Sequence, residues 1–137
     1  MEEKIRRFDS GATRDTDSGK LDFEGFLSPI VLERYAEYMH QHRTQSDGTL
    51  RDSDNWTKGI PRIQYMKSLL RHLLDVWLLI RGWGDRAVTN NLEVALCAVL
   101  FNTMGLLYEV LLGRDTGKTE NARENTTKER RVSPPTS

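Results

Sequence analysis

Two helical segments place acidic and imidazole side chains at spacings that suit a divalent cation. Glu33 and Glu37 are four residues apart and so share a helix face, and His40 continues the same stripe. His72 and Asp75 are three residues apart in an otherwise apolar run. A carboxylate among apolar side chains needs a partner or a metal, and carboxylate oxygens are ligands that Mg²⁺ prefers. These residues predict a metal site, with Asp75 as the strongest single candidate.

Both pairs also have an interpretation without chemistry. The two glutamates could form a solvated helix face, with Arg34 and Arg43 as ion-pair partners. Asp75 could pair with Arg71 at the surface, and His72 would then be a histidine at the edge of the core. Spacing alone leaves both interpretations open.

Composition and periodicity divide the chain into an arm, a helical domain and a tail. The first segment is rich in Gly, Asp, Thr and Ser without sustained periodicity, which predicts an arm or loop. Capping signals at Ser28 and at Asn90 or Asn91, with Gly113 as a stop, favour helix ends at those positions. We expect an arm over 1–27, a helical domain over 28–112 with helices near 29–43, 63–82 and 92–112, and a disordered tail over 113–137.

The third helix is apolar around so much of its circumference that it should be central or at a subunit interface. Glu93, Asn102 and Glu109 interrupt the apolar run, which argues against a membrane span. Glu93 in the first turn is also explained by the helix dipole. No alternating strand pattern of convincing length is present. The sequence predicts an all-α fold, a small bundle of three main helices with an N-terminal arm, completed by oligomerisation.

Charge and cysteine content narrow the classes of partner. The 20 basic and 20 acidic residues give a formal net charge of zero, so no global field draws the chain to nucleic acid or to an anionic membrane. The single cysteine, Cys97, lies in an apolar run and excludes an internal disulfide. We therefore expect no nucleic-acid or membrane partner and a cytoplasmic location.

Short motifs in a fixed order carry a resemblance to a known family. They are Gly11-Ala12-Thr13-Arg14-Asp15-Thr16, Gly19-Lys20, Leu27-Ser28-Pro29, Asp54-Asn55-Trp56-Thr57-Lys58-Gly59-Ile60-Pro61 and Arg71-His72-Leu73-Leu74-Asp75. Together they cover roughly residues 8 to 112. In this order the chain resembles the phage dATP/dGTP diphosphohydrolase family, a branch of the MazG-like all-α nucleoside triphosphate pyrophosphohydrolases.

The resemblance implies Mg²⁺-dependent hydrolysis of a deoxynucleoside triphosphate, dATP or dGTP, to the monophosphate and pyrophosphate, with Mn²⁺ as a possible substitute. It implies a homodimer or homotetramer, in the host cytoplasm if the protein is phage-encoded. Glu33, Glu37, His72 and Asp75 would hold the metal, and Glu33 or Glu37 would be the catalytic base. The implied substrate-binding residues are Arg14, Lys20, Trp56, Lys58 and Asn102. Trp56 could stack on the base or pin its loop to the core.

The sequence departs from the superfamily pattern in two places. That pattern has one pair of glutamates on a helix and a glutamate–aspartate pair, three apart, on the next. Here the first pair is four apart, and His72 stands where the second glutamate is expected. Two alternatives from other classes stay open, namely a non-catalytic oligomeric scaffold or phage–host interaction protein, and a regulator that binds a nucleotide without hydrolysing it.

Overall fold

The structure, a computed structural model, describes residues 4–116. The chain divides into two compact units, Met1–Leu32 and Glu33–Ser137. The described part is mostly helical. Its elements in chain order are β1 (Ile5–Arg7), β2 (Thr13–Asp15), α1 (Phe23–Phe26), α2 (Pro29–Gln41), α3 (Arg62–Ile80) and α4 (Leu92–Leu111), with 3₁₀ turns at Asn55–Lys58 and Gly84–Arg86.

The first unit contains a two-stranded antiparallel sheet that the sequence did not predict. β1 pairs with β2 so that Ile5 lies opposite Asp15. The Arg6 guanidinium donates to Asp17 Oδ2 at 3.1 Å and lies 5.7 Å from the centre of the Phe8 ring. Strands of three residues are too short to show an alternating pattern. The expectation of a strand-free arm over residues 1–27 is corrected to a hairpin followed by the four-residue helix α1.

The predicted helix boundaries rest on capping side chains that the structure shows in place. Ser28 Oγ accepts from the Val31 N–H at 3.5 Å, and Asn91 Oδ1 accepts from the Val94 N–H at 3.1 Å. Each contact satisfies one of the first N–H groups of a helix, which have no partner within the helix. Gly113 follows α4 with φ of 65°, a conformation that L-residues with a side chain avoid.

In the second unit, α3 packs against α4 through a close contact between a tyrosine and a glycine. The Tyr65 ring is 1% exposed and lies directly against the backbone of Gly105, where there is no side chain to exclude it. The same ring makes an edge-to-face contact with Phe101, with 6.0 Å between the ring centres. Gly105 therefore sets how closely the two long helices approach.

Helix α2 contacts α4 through a small apolar cluster. Its buried members are Tyr38 from α2 and Cys97 and Ala98 from α4, with Tyr35 and Met39 of α2 packed beside them. Cys97 is a free, buried thiol, so the expected burial of this side chain is confirmed. This cluster sets the position of the C-terminal half of α2.

One stripe of α4 faces the protein interior. Apart from Cys97, its buried residues follow spacings of three and four and so lie along one side of the helix. Within residues 4–116, α4 is the helix long and apolar enough to cross a membrane by length and composition, a test that core helices of soluble proteins also pass. The buried stripe consists of Ala95, Cys97, Ala98, Asn102, Gly105 and Glu109.

The first residues of the predicted disordered tail are part of the second unit. The Arg114 guanidinium is bonded to Glu109 Oε2 at 2.7 Å, and Thr116 Oγ1 donates to the same carboxylate at 3.3 Å. The predicted tail over 113–137 therefore begins too early. The sequence pattern did not indicate that Arg114, in a polar segment, would pair with the buried Glu109. The rest of that prediction, 117–137, lies outside the described residues.

Candidate functional site

The acidic stripe on α2 is exposed and has no competing partner. Neither Glu33 nor Glu37 makes a hydrogen bond or an ion pair within residues 4–116. The Arg34 guanidinium, which the sequence offered as a partner, bonds instead to Glu93 at 3.1 Å. Arg43 Nε donates to the carbonyl oxygen of Arg51 at 2.8 Å. Both glutamates are therefore free to bind a cation or a ligand.

Asp75 is buried, as its apolar surroundings suggested, and its carboxylate anchors a loop. Oδ1 accepts from the Val88 N–H at 2.9 Å, and Oδ2 accepts from the Thr89 N–H at 3.2 Å. Asp75 does not pair with Arg71 in the structure. Arg71 donates instead to Ser68 Oγ at 2.9 Å. In the structure, Asp75 ties the connection between α3 and α4 to α3.

His72 has a buried ring nitrogen without a partner. Nδ1 is enclosed and makes no hydrogen bond among the described residues. Burial is the largest cause that lowers the pKa of His72, and the nearby charges of Arg71 and His42 act in the same direction. The nearby Asp75 acts in the opposite direction. The imidazole is therefore neutral at pH 7, the form that ligates metals.

The four predicted ligands do not converge. Within residues 4–116 no group of three or more His, Cys, Asp and Glu side chains is close enough to hold one metal ion. Asp75 is occupied by two backbone donors, whereas Glu33 and Glu37 form an open pair on α2. Of the four predicted ligands, Glu33 and Glu37 thus remain as free carboxylates, and the larger ligand set stays a prediction.

A cavity of about 830 Å³ lies within the second unit, and neither Glu33 nor Glu37 lines it. Its volume falls in the range of small-molecule binding sites, roughly 300–1,000 Å³. Its lining comes from the C-terminal half of α2, the loop before α3, and α4. The apolar lining includes Tyr35, Met39, Trp56, Phe101 and Met104, and the polar lining includes His40, His42, Arg43, Arg51, Asp52 and Asn55.

Trp56 is fixed against the core and also faces the cavity. Its ring makes an edge contact with Tyr108, with 4.8 Å between ring centres and 73° between ring planes. It is also among the residues that line the cavity. This contact pins the loop to the core, which is one of the two roles considered for Trp56. The exposed part of the ring remains available to a ligand.

The cavity carries both hydrogen-bonding and cationic groups. Burial raises the pKa of Tyr35 to about 12, so its hydroxyl stays protonated, and it approaches Met104 Sδ at 4.0 Å. Arg51 Nη1 donates to the His42 carbonyl at 3.4 Å, and each arginine at the cavity uses part of its five N–H donors on backbone. Donors therefore remain for an anionic ligand.

The other predicted substrate residues of the second unit, Lys58 and Asn102, do not line this cavity. Lys58 is exposed and bonds weakly to Asn55 at 3.5 Å, and buried Asn102 donates to the Ala98 carbonyl at 2.8 Å. Arg14 and Lys20 are exposed in the first unit, and their side chains make no hydrogen bond or ion pair within the described range. Of the five, Trp56 alone lines the cavity.

Comparisons of the chain with models of protein families, with curated proteins and with solved structures find no match.

Proposed function

We propose that this protein hydrolyses deoxynucleoside triphosphates, dATP or dGTP, to the monophosphate and pyrophosphate. One observation carries the proposal, namely a nucleotide-sized cavity with an aromatic wall and a cationic rim. His40 lines the cavity and continues the helix face of Glu33 and Glu37, neither of which lines it. The motif resemblance supports the same reaction.

The cavity lining suits the two chemically different parts of a nucleotide. A nucleobase is planar and weakly polar, and it stacks favourably on aromatic side chains such as Trp56 and Phe101. A triphosphate needs cationic donors, and arginine offers paired N–H groups that match phosphate oxygens. In the proposal, Arg43 and Arg51 bind phosphates and the apolar wall binds the base.

The residues fit a magnesium ion that is shared with the substrate. Mg²⁺ is usually held by one or two carboxylates together with substrate phosphates and water, so one glutamate of the pair Glu33 and Glu37 suffices. When bound, the ion neutralises phosphate charge and lowers the pKa of an attacking water. Mn²⁺ accepts the same oxygen ligands. The glutamate that is not binding the ion serves as the general base.

We expect the reaction to be visible with purified protein. Each of the four dNTPs is incubated with Mg²⁺, and products are separated by chromatography. Pyrophosphate and dAMP or dGMP should appear, and a chelator should stop the reaction. Glu37→Gln should lower kcat by about a hundredfold or more, the usual value of a general base or metal ligand. Asp85→Asn, which removes an exposed carboxylate elsewhere, should not.

The opposite outcome would favour the non-catalytic alternatives. If no dNTP is cleaved by protein that is folded by circular dichroism, the proposed hydrolysis is wrong. Tight binding of an intact nucleotide would then favour a regulator. No binding would favour an oligomeric scaffold or a phage–host interaction protein.

The proposal includes a homo-oligomer, because the second unit exposes a long apolar face. On α3 six exposed residues follow alternating spacings of three and four, which places them in one stripe. If about half of each side chain is exposed, these and the exposed apolar residues of α4 offer roughly 800 Å² per chain, near the area that one partner buries in a standard interface. The α3 stripe is Ile63, Met66, Leu70, Leu73, Trp77 and Ile80, and the α4 residues are Leu96, Leu100, Leu107, Val110 and Leu111.

A charge in the middle of this stripe should separate the subunits. Leu73→Glu places a carboxylate where apolar contacts between copies are proposed, and leaving it desolvated is costly. We expect sedimentation velocity to give a dimer or tetramer for the wild type and mostly monomer for Leu73→Glu. Val88→Glu, an equally drastic change at a residue 95% exposed outside the stripe, should keep the wild-type mass. A monomeric wild type at tens of micromolar would contradict the oligomer.

A further inference from the structure

A buried carboxylate at the end of α4 organises the residues that follow the helix. Glu109 is fully buried, and it accepts from Arg114 Nε at 2.7 Å and from Thr116 Oγ1 at 3.3 Å. The hydrogen bond from Arg114 keeps the pKa of Glu109 below its usual value even though burial acts in the opposite direction. The group is therefore an ionised, paired carboxylate. We call Glu109, Arg114 and Thr116 the C-terminal clamp.

The C-terminal clamp is hydrogen-bonded to the backbone at two positions of the loop that forms the cavity wall. Arg114 Nη2 donates to the Thr57 carbonyl at 2.7 Å. Glu109 Oε1 accepts from the Ile60 N–H at 3.4 Å. Trp56 and Ile60 both line the cavity. Of the two bonded backbone groups, Thr57 is therefore next to a cavity-lining residue, and Ile60 is itself one.

Further contacts leave the loop little room to move. The Thr116 side chain lies against Gly59, whose φ of 116° is unfavourable for any residue with a side chain. Arg62 Nε donates to the Arg114 carbonyl at 3.0 Å. Residues 57–60 of the loop are thus fixed to the residues that follow α4.

We infer that Arg114 is a positioning residue for nucleotide binding, which acts by holding the Trp56 wall of the cavity through Thr57 and Glu109. The inference rests on the proposed function, since it assumes that a base binds against this wall. Arg114 does not line the cavity and does not touch the acidic stripe. Its loss should therefore weaken binding of the nucleotide while the hydrolytic step on bound nucleotide is retained.

Arg114→Lys in the full chain is the sharpest variant. Lysine keeps the positive charge beside Glu109 but lacks the planar, forked donors that reach two acceptors at once. The fold should survive, and the bond to the Thr57 carbonyl should be lost. We expect KM for the preferred dNTP to rise about tenfold, the value of one hydrogen bond from a charged donor, with kcat within about twofold of wild type.

A second readout needs no nucleotide. Hydrogen exchange of the amides in 55–60 should be faster in ligand-free Arg114→Lys than in wild type, while exchange in the middle of α3 is unchanged. Arg114→Ala should show the same pattern more strongly if it folds. Arg86→Lys, at an arginine that contacts the Trp83 ring instead, is the matched control and should match wild type in both assays.

The outcomes separate the inference from the proposed function. An active wild type with unchanged KM and unchanged exchange in Arg114→Lys overturns the positioning role and leaves the hydrolysis intact. A fall in kcat with constant KM also overturns it. If no dNTP is cleaved by the wild type, hydrolysis fails, and exchange in 55–60 still decides whether Arg114 holds the wall.

Discussion

Replacing Asp75 by asparagine should lower the free energy of unfolding by about 2 kcal/mol, in the absence of any metal. The carboxylate accepts two backbone N–H groups, from Val88 and Thr89, and it is only 5% exposed. Asparagine has the same shape but keeps one acceptor and turns a donor toward the second N–H. Urea denaturation followed by circular dichroism measures the loss, with Asp85→Asn as the exposed control.

The same variant distinguishes the loop anchor from a metal ligand. If Asp75 only anchors the loop, Mg²⁺ and Mn²⁺ should raise the melting temperature of the wild type and of Asp75→Asn by equal amounts. If Asp75→Asn keeps the wild-type stability but loses the metal effect and the Mg²⁺-dependent activity, the loop-anchor role is wrong. The carboxylate would then be a ligand, as the resemblance implies.

The long helices were predictable because their signals are local. Ser28 and Asn91 cap helices from positions that sequence spacing identifies, and the 3.6-residue repeat extends through α3 and α4. The hairpin β1–β2 was missed because three-residue strands carry no repeat. Its contacts join residues far apart in the chain, such as Arg6 and Asp17, which are separated by eleven positions.

The site was predictable only in part, because its decisive contacts join distant residues. Sequence reasoning identified Asp75 as a buried carboxylate that needs a partner, but the donors are backbone groups 13 and 14 residues away. It named Trp56, whose position depends on Tyr108. The cavity itself has no sequence motif, because it arises where α2, a loop and α4 meet.

The role of Arg114 was also not predictable from the local sequence pattern. The polar residues after Gly113 look like the start of a disordered tail, since they contribute no apolar area. Glu109, in the last turns of an apolar helix, is the available signal, because a fully buried carboxylate requires a charged partner nearby. A search for that partner from Glu109 leads to the arginine five residues later.

Gly105→Ala should destabilise the protein by about 2 to 3 kcal/mol, the usual range for overpacking a tight core. Helix propensity alone predicts the opposite, a gain of up to about 1 kcal/mol when glycine in a helix is replaced by alanine. Packing decides here, because a methyl group at Gly105 would overlap the Tyr65 ring. That ring is 1% exposed and is therefore enclosed by other protein atoms. Urea denaturation gives the sign directly.

Two changes at Tyr65 show whether this overlap is the cause. Tyr65→Phe removes a buried hydroxyl that has no hydrogen-bond partner within residues 4–116 but keeps the ring, so it should not rescue Gly105→Ala. Tyr65→Leu removes the ring atoms that the methyl group would meet, so the double variant should be more stable than the sum of the two single effects predicts. Additive effects of Tyr65→Leu and Gly105→Ala would mean that the crossing of α3 and α4 is not set by this contact.

The same crossing positions Phe101 in the cavity, because Phe101 packs edge to face on Tyr65. A rescued double variant that binds nucleotide less well than wild type would therefore connect the packing of the two helices to the shape of the cavity.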